Sequence, residues 1–142
     1  MQYGLLFQTT IMRMFGIYGP GQKEMTIPSV MDRLRSHEEI VLAQGAGLYF
    51  TPLFIDDCVE MIRRLVKTKM SSGNEIVNIA GNEVVHLGLV VRLLSEQLRI
   101  SPSTRLTDDA PMYLQGSNKK ICRMLEYQPS VSFEAGIVKT IQ

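Results

Sequence analysis

The feature that constrains the fold most is an apolar run, TTIMRMF at Thr9–Phe15, that ends in a glycine-rich segment, GIYGPGQ at 16–22. A short apolar run closed by glycine and proline is typical of a strand that is buried on both faces and is followed by a loop. Strands of this kind belong to parallel sheets that are covered by helices. The sequence therefore predicts an α/β fold.

A second strand of the same kind is predicted at Glu75–Ala80, EIVNIA, which Gly81 closes. Two strands are too few to make a parallel sheet with both faces covered. We therefore expect residues 1–142 to form one α/β unit that is incomplete by itself. When isolated, such a unit should dimerise, exchange elements or aggregate through its open strands.

Hydrophobic spacing and capping residues predict the remaining elements. Apolar residues at helical spacing indicate three longer helices, and two serines mark the starts of two short ones. The predicted helices are 26–37 with Thr26 as N-cap, the stretch after 55 with an Asp57–Glu60 capping box, 86–98 behind His86, and short segments from Ser117 and Ser132. Short strands are predicted at 40–43, 53–55 and 104–107, and a polar turn at 71–74.

Several side chains have a predicted structural role. Arg13 lies within an apolar strand, so we expect it to pair with Asp56 or Asp57, because an unpaired buried charge is costly. Leu89 and Leu93 fall outside the apolar stripe of their helix, which indicates additional burial or a partner surface. The buried face of the second helix is expected to hold Cys58, Met61, Ile62, Leu65 and Val66, and Cys122 is expected to be a second buried thiol.

The composition excludes several classes of protein. Fifteen Lys and Arg balance fourteen Asp and Glu, so no large basic field attracts nucleic acid or an anionic membrane. No apolar run reaches the roughly 18 residues of a membrane helix, and the N-terminus lacks the layout of a signal peptide. We therefore expect a cytoplasmic protein with no nucleic-acid or membrane partner. Two cysteines are too few for a zinc site or a disulfide framework.

Complete catalytic motifs are missing from the sequence. GxSxG, GxxxxGK[ST], HExxH and GxGxxG are all absent, and His37 and His86 have no ligand partners at metal spacing. Asp57 is expected to cap its helix rather than to take part in catalysis. We therefore predict no catalytic residue and no metal site in this chain.

Four segments in order along the chain carry a family resemblance. They are RMFGIYGPGQ at 13–22, PLFIDD at 52–57, NIAG at 78–81 and SNKKICRMLEYQPSVSFEAGI at 117–137. Together they resemble the C-terminal half of the NAD-dependent epimerase/dehydratase family, the extended short-chain dehydrogenase/reductases. The resemblance implies the C-terminal part of an extended Rossmann-type fold, with two core parallel strands and a small mixed α/β substrate-binding region.

The resemblance also implies what the chain lacks. In the family an upstream half carries the glycine fingerprint for the dinucleotide and a Tyr-xxx-Lys pair, and here that Rossmann half is absent. None of the five tyrosines has a lysine four residues later. A tyrosine with its ordinary pKa near 10 needs a nearby cation to act as a base at neutral pH. NAD or NADP would serve the complete parent protein, and this chain alone should be inactive and should bind neither tightly.

Candidate site residues follow from the resemblance. The family implies that Met14, Phe15 and Gly16 face the cofactor and that the substrate, such as a sugar nucleotide, contacts Tyr18, Gly19, Pro20, Gln22, Leu42, Ala43 and Phe50. The nucleotide base is expected near Leu42 and Ala43, and the phosphates near the 16–22 loop. Three positions depart from the family pattern: Gly16 replaces an asparagine, and Phe50 and Leu106 replace arginines that grip the diphosphate.

Two functions from different classes fit these features. The chain is interpreted as the substrate-binding portion of an NAD-dependent epimerase/dehydratase that acts on a sugar nucleotide or related polar metabolite. Its partner would be the missing Rossmann half or a second copy in a homo-oligomer. The alternative is a noncatalytic module, derived from that family, that self-associates or binds a partner protein.

Overall fold

The computed structural model describes residues 9–68 and 74–142, so the predicted turn at 71–74 lies outside it except for Asn74. Strands and helices alternate along the described chain, as an α/β fold requires. The strands are β1 (Thr9–Met14), β2 (Ile17–Tyr18), β3 (Ile40–Ala43), β4 (Leu48–Phe50), β5 (Leu53–Phe54), β6 (Asn74–Ile79), β7 (Val85–His86), β8 (Thr104–Thr107) and β9 (Met112–Leu114). The helices are α1 (Thr26–Arg35), α2 (Ile55–Lys67), α3 (Leu87–Leu98), α4 (Lys119–Leu125) and α5 (Phe133–Ile141).

The predicted pair of core strands is confirmed. β1 and β6 pair in parallel over six residues, from Thr9 opposite Asn74 to Met14 opposite Ile79. Two further parallel pairs form, β2 with β5 and β3 with β8, and β4 lies between antiparallel β7 and parallel β9. The result is a mixed α/β fold with parallel strand pairs, as the resemblance implies.

The β1/β6 pair is covered on one face. Val77 and Ile79 are buried on that face against residues of α2 and α4, including Met61 and Ile121. We call this cluster the α2/α4 core; its buried members are Leu53, Cys58, Met61, Leu65, Val77, Ile79, Ile121, Cys122 and Leu125. Both thiols are therefore buried, as predicted.

The opposite face of the pair is open to solvent. Ile11 and Ile76, which stand opposite each other in the parallel register, are 54% and 50% exposed. The expectation that β1 is buried on both faces is therefore wrong for the described chain, because no described helix packs on this side. Arg13 lies on the same open face, where its Nε donates a hydrogen bond to Asn78 Oδ1 at 2.9 Å. The predicted pairing of Arg13 with Asp56 or Asp57 is wrong, because an exposed guanidinium needs no buried carboxylate.

A second core lies among α1, α3 and α5, where α3 packs against both of the other helices. We call it the α1/α3/α5 core; its nearly fully buried members include Ile27, Leu34, Phe50, Val90, Leu94 and Ile137. Leu93 is buried in this core and Leu89 packs against it. The extra apolar width of α3 is therefore used within the chain. No described helix is both long enough and apolar enough to cross a membrane.

Helix and strand ends differ from the predictions in a few places. Met25, not Thr26, is the N-cap of α1, and Asn118, not Ser117, precedes α4. His86 Nδ1 accepts from Leu89 N–H at 3.2 Å, and Ser132 Oγ accepts from Ala135 N–H, so these two caps are confirmed. Three elements have ends that differ from the predicted ones: α1 stops at Arg35, α2 begins at Ile55, and β6 runs from 74 to 79. The side chain of Val66 is exposed, whereas it was predicted to be buried.

Candidate functional site

The carboxyl ends of four strands meet at Thr51, just beyond β4. The Thr51 carbonyl accepts a hydrogen bond from Gly81 N–H after β6, and its hydroxyl accepts one from Gly116 N–H after β9, at 3.2 and 3.0 Å. Phe15 N–H continues β1 by donating to Ile79 O at 2.9 Å. In open α/β sheets, ligands bind in the crevice outside the carboxyl ends of the strands. This junction is therefore the first candidate site.

Glycines let the backbone segments of the junction touch. A side chain at Gly81 would overlap the Pro52 carbonyl oxygen, and one at Gly116 would lie 2.5 Å from the Phe15 ring. Gly16 has a φ of +56°, a left-handed conformation that glycine adopts readily. Close packing leaves Phe15 half-buried beneath Gly116, while Met14 is 47% exposed at the rim.

Tyr18, the last residue of β2, anchors the loop that follows this strand. The Tyr18 ring is buried between Phe54 and Phe133, and its hydroxyl donates to the Phe133 carbonyl at 3.2 Å. Burial, reinforced by the carboxylates of Glu83 and Asp57, raises the pKa of Tyr18 far above its ordinary value. Tyr18 is therefore an anchor between the loop and α5.

The remaining loop residues line two cavities. Gln22 Nε2 donates to the Ile17 carbonyl at 2.8 Å, which fixes the end of the loop. A cavity of about 260 Å³ lies over residues 17–22 and Ile55. A larger cavity of about 400 Å³ reaches from Gly19 and Gln22 across α1 to Arg35. Gly19 and Gln22 line both cavities, and the exposed Pro20 lines the smaller one.

A third cavity separates the β3/β8 pair from β4 and β9. We call it the β3/β9 cleft; it measures about 330 Å³ and is lined by Val41, Ala43, Gly47, Leu48, Leu87, Thr107, Asp109, Ala110 and Met112. Ala43 faces the cleft, whereas Leu42 points the other way into the α1/α3/α5 core, as alternation along a strand requires. Phe50 is also in that core. An arginine at position 50 would bury its charge there instead of reaching a ligand.

Asp57 has a role that the sequence did not predict. Its buried carboxylate accepts hydrogen bonds from Tyr127 O–H at 2.5 Å, from the N–H and O–H of Ser130, and from Val131 N–H at 2.9 Å. Burial acts to raise the pKa of Asp57, but these hydrogen bonds outweigh it and hold the pKa below its ordinary value. Burial and the bond to Asp57 raise the pKa of Tyr127 to about 12. Asp57 therefore fixes the 127–131 segment, and the prediction of a simple helix cap is wrong.

The predicted site residues thus fall into three groups. Met14, Phe15 and Gly16 lie at the strand junction, Tyr18, Gly19, Pro20 and Gln22 belong to the loop, and Ala43 lines the β3/β9 cleft. The two other predicted residues, Leu42 and Phe50, are buried in the α1/α3/α5 core and line none of these places. Sequence reasoning missed Thr51 and Thr107, because a single threonine carries no signal until the segments around it have folded. Across 9–68 and 74–142, no cluster of three or more His, Cys, Asp or Glu could hold a metal ion.

Comparison with known proteins links this geometry to solved structures. No protein-family model and no curated protein sequence matches the chain. A UDP-glucuronic acid 4-epimerase from Bacillus cereus, solved with UDP-glucuronic acid and NAD, superimposes with a TM-score of 0.78 at 22% identity over 92% of this chain and 43% of its own. A UDP-galactose 4-epimerase gives 0.78 at 22% identity over 98% and 46%. Epimerase Mth375 from Methanothermobacter thermautotrophicus gives 0.75 at 20% identity over 91% and 40%.

These likenesses establish the fold. The chain has the fold of part of a UDP-sugar epimerase, as the resemblance implies, and it spans less than half the length of each of the three solved chains. The parts of those proteins that it does not match are the larger share of their chains.

Proposed function

We propose that this chain is the substrate-binding portion of an NAD-dependent epimerase/dehydratase, and that it works when joined to a dinucleotide-binding Rossmann half. The observation that carries the proposal is the superposition of more than nine-tenths of the chain on the two 4-epimerases. The open face of the β1/β6 pair supports it, because a joined half would supply the neighbouring strands and helices that a parallel sheet requires.

The residues present fit only part of NAD. Met14 and Phe15 offer an apolar rim that suits a nicotinamide ring. The pyrophosphate would need a glycine-rich turn at a helix N-terminus, but the first turn of α2 carries Asp56 and Asp57 and the start of α3 is capped by His86. Neither of these helix starts therefore suits a pyrophosphate, and the sequence contains no GxGxxG turn that would hold one. We expect the isolated chain to bind NAD no more tightly than about millimolar.

The substrate we propose is a sugar nucleotide or a related polar metabolite. The β3/β9 cleft, through Ala43, would take the base, and the 16–22 loop would lie near the polar remainder. This chain's own contribution is to bind and orient the substrate at the strand junction, where Phe15 and Gly116 exclude water by direct packing. Oxidation and return of the hydride would belong to the joined halves.

The direct experiment extends the chain. DNA sequencing upstream of this reading frame should reveal an in-frame GxxGxxG and YxxxK, and the longer product should bind NAD and convert a UDP-sugar to its epimer. The matched control replaces that lysine with methionine, which should remove turnover and leave sugar-nucleotide binding intact. A longer product that binds NAD but no sugar nucleotide would contradict the proposal.

A noncatalytic module is the second candidate, and the exposed Ile11 and Ile76 favour it. A sheet face that exposes two neighbouring isoleucines beside polar side chains is a surface on which a second copy or another protein can pack. If no dinucleotide-binding half is encoded upstream, and the chain forms a stable assembly in solution, this second function is preferred.

A further inference from the structure

The larger of the two loop cavities is lined by residues of α1, of the loop that precedes it and of α5. It measures about 400 Å³, within the size range of small-molecule sites, and we call it the α1 cavity. Four of its lining residues share one face of α1, because they are spaced three, four and seven positions apart: Pro28, Met31, Asp32 and Arg35. Pro28 and Met31 are buried, so they give the cavity an apolar floor.

Charged side chains of both signs line this cavity. Two of them are cationic, Lys23 and Arg35, and two are anionic, Glu24 and Asp32. All four residues are exposed, and none of them forms an ion pair within the described part of the chain. The α1 cavity therefore presents positive and negative groups at once, and their formal charges cancel.

The chain pairs such groups elsewhere. On α2, Glu60 and Arg63 are three residues apart and form an ion pair at 2.7 Å. Asp32 and Arg35 have the same order and spacing on α1, yet these two described residues form no ion pair with each other. Their charges are therefore available to a bound molecule.

The mixture of charges selects the class of ligand. A simple anion such as phosphate would be attracted by the two cations but repelled by the two carboxylates, and a simple cation would meet the reverse. A zwitterion can match both signs, because a guanidinium binds a carboxylate in a bidentate geometry and a carboxylate accepts hydrogen bonds from an ammonium group. An α-amino acid carries both charges on one carbon atom, and an apolar side chain on that carbon suits the floor of the cavity.

We propose that the α1 cavity binds a free α-amino acid with an apolar side chain. Its carboxylate lies at Arg35, its ammonium group at Asp32, and its side chain on Pro28 and Met31. This inference goes beyond the proposed function, because it assigns a second ligand to a cavity that is separate from the β3/β9 cleft. The smaller loop cavity offers no such match, since none of its lining residues, all of them described, is charged.

An NMR chemical-shift titration of the 142-residue chain with three probes tests the inference. L-Leucine carries both charges, N-acetyl-L-leucine keeps only the carboxylate, and L-leucinamide keeps only the ammonium group. We expect leucine to bind about threefold to fivefold more tightly than either blocked probe, the range for one exposed charge pair. The blocked probes also represent the two ends of a peptide, so they distinguish a free amino acid from a chain terminus.

Two variants assign the charged contacts. Arg35→Gln should lower leucine affinity about threefold to fivefold without weakening leucinamide, which has no carboxylate. Asp32→Asn should lower leucine affinity by a similar factor without weakening N-acetyl-L-leucine, which has no ammonium group. Arg33→Gln is the matched control, because it removes an exposed cation of α1 that does not line the cavity, and it should leave leucine affinity unchanged. Circular dichroism verifies that each variant is folded.

Several outcomes would overturn the inference. Leucine binding that is no tighter than that of a blocked probe would show that the cavity does not recognise both charges. Equal leucine affinity in Arg35→Gln and the unaltered chain, or no shift of α1 signals at about 10 mM leucine, would also overturn it. The turnover of the longer gene product decides the proposed function separately, because neither Asp32 nor Arg35 belongs to the strand junction or to the β3/β9 cleft.

Discussion

The two cores of this chain differ in how they are closed. The α1/α3/α5 core is enclosed by elements of the described chain, and Phe50 and Leu94 at its centre are almost inaccessible to solvent. The α2/α4 core ends at the β1/β6 pair, whose outer face leaves Ile11 and Ile76 half exposed. A core that is enclosed by the chain's own elements should be stable in the isolated chain, whereas a sheet with one open face should be stabilised by a second layer that packs on it. The open face of the β1/β6 pair is therefore where the proposed Rossmann half would pack.

The largest expected effect comes from charging the closed core. Phe50→Arg should lower the free energy of unfolding by about 3–5 kcal/mol, because the guanidinium would be buried without a partner. Ile76→Arg, on the open sheet face, is the matched control and should change it by less than about 0.5 kcal/mol. Urea denaturation followed by circular dichroism measures both. Equal losses in the two variants would show that the open face is covered after all.

Asp57 gives the next effect, because it joins α2 to the 127–131 segment at the rim of the α2/α4 core. Asp57→Ala should lower the free energy of unfolding by about 3 kcal/mol, since it leaves the buried N–H groups of Ser130 and Val131 without their acceptor. The alanine variant should also unfold at a lower urea concentration than Asp56→Ala, which removes an exposed carboxylate from the same helix. Identical midpoints would contradict the structural role of Asp57.

The same carboxylate predicts a pH dependence. The folded-state pKa of Asp57 lies below its unfolded value of about 3.9, so its contribution is present above that pH and is lost as the pH falls through the lowered folded pKa. The free energy of unfolding should therefore decline below about pH 4 in the unaltered chain, and decline less steeply in Asp57→Asn. Urea titrations across this range measure the two slopes. If the free energy of unfolding falls equally steeply with pH in both proteins, Asp57 does not contribute to the loss of stability in acid.

The smallest effect on stability should accompany the largest effect on association. Ile11→Glu combined with Ile76→Lys places opposite charges across the parallel register on the open face. Because both side chains are already half exposed, the free energy of unfolding should shift by less than about 1 kcal/mol. Self-association through this face should disappear, which sedimentation velocity can measure. Unchanged association would mean that another surface, such as the exposed β9 strand, is responsible.

The local pattern of apolar residues was enough to predict the long helices and strands, but it was not enough to predict the short strands. The apolar runs of β1 and β6 and the spacing along α3 depend on neighbours in sequence, so their positions could be predicted. The missed strands β2, β4, β7 and β9 have two or three residues each, and their pairing depends on contacts made after folding. Ionic and polar partners were the least predictable, because Asp57 binds residues more than 70 positions away.

The site follows the same division. The family resemblance pointed to the junction residues Met14–Gly16 and to Ala43 in the cleft. Only the tertiary structure shows that the side chains of Leu42 and Phe50 are buried in the α1/α3/α5 core. Thr51 joins three separate segments through its carbonyl and hydroxyl groups, and no local pattern marks such a residue. Contacts between residues that are far apart in the sequence are therefore the part of the site that the sequence alone did not predict.

The central claim is that the β1/β6 sheet is an unfinished layer, and sedimentation equilibrium of the isolated 142-residue chain tests it most directly. The account predicts an average mass that rises with concentration in the micromolar range, and a return to the monomer mass in the Ile11→Glu, Ile76→Lys variant. A monodisperse monomer at every concentration, with a single cooperative unfolding transition, would show that the sheet needs no second layer and would contradict the account.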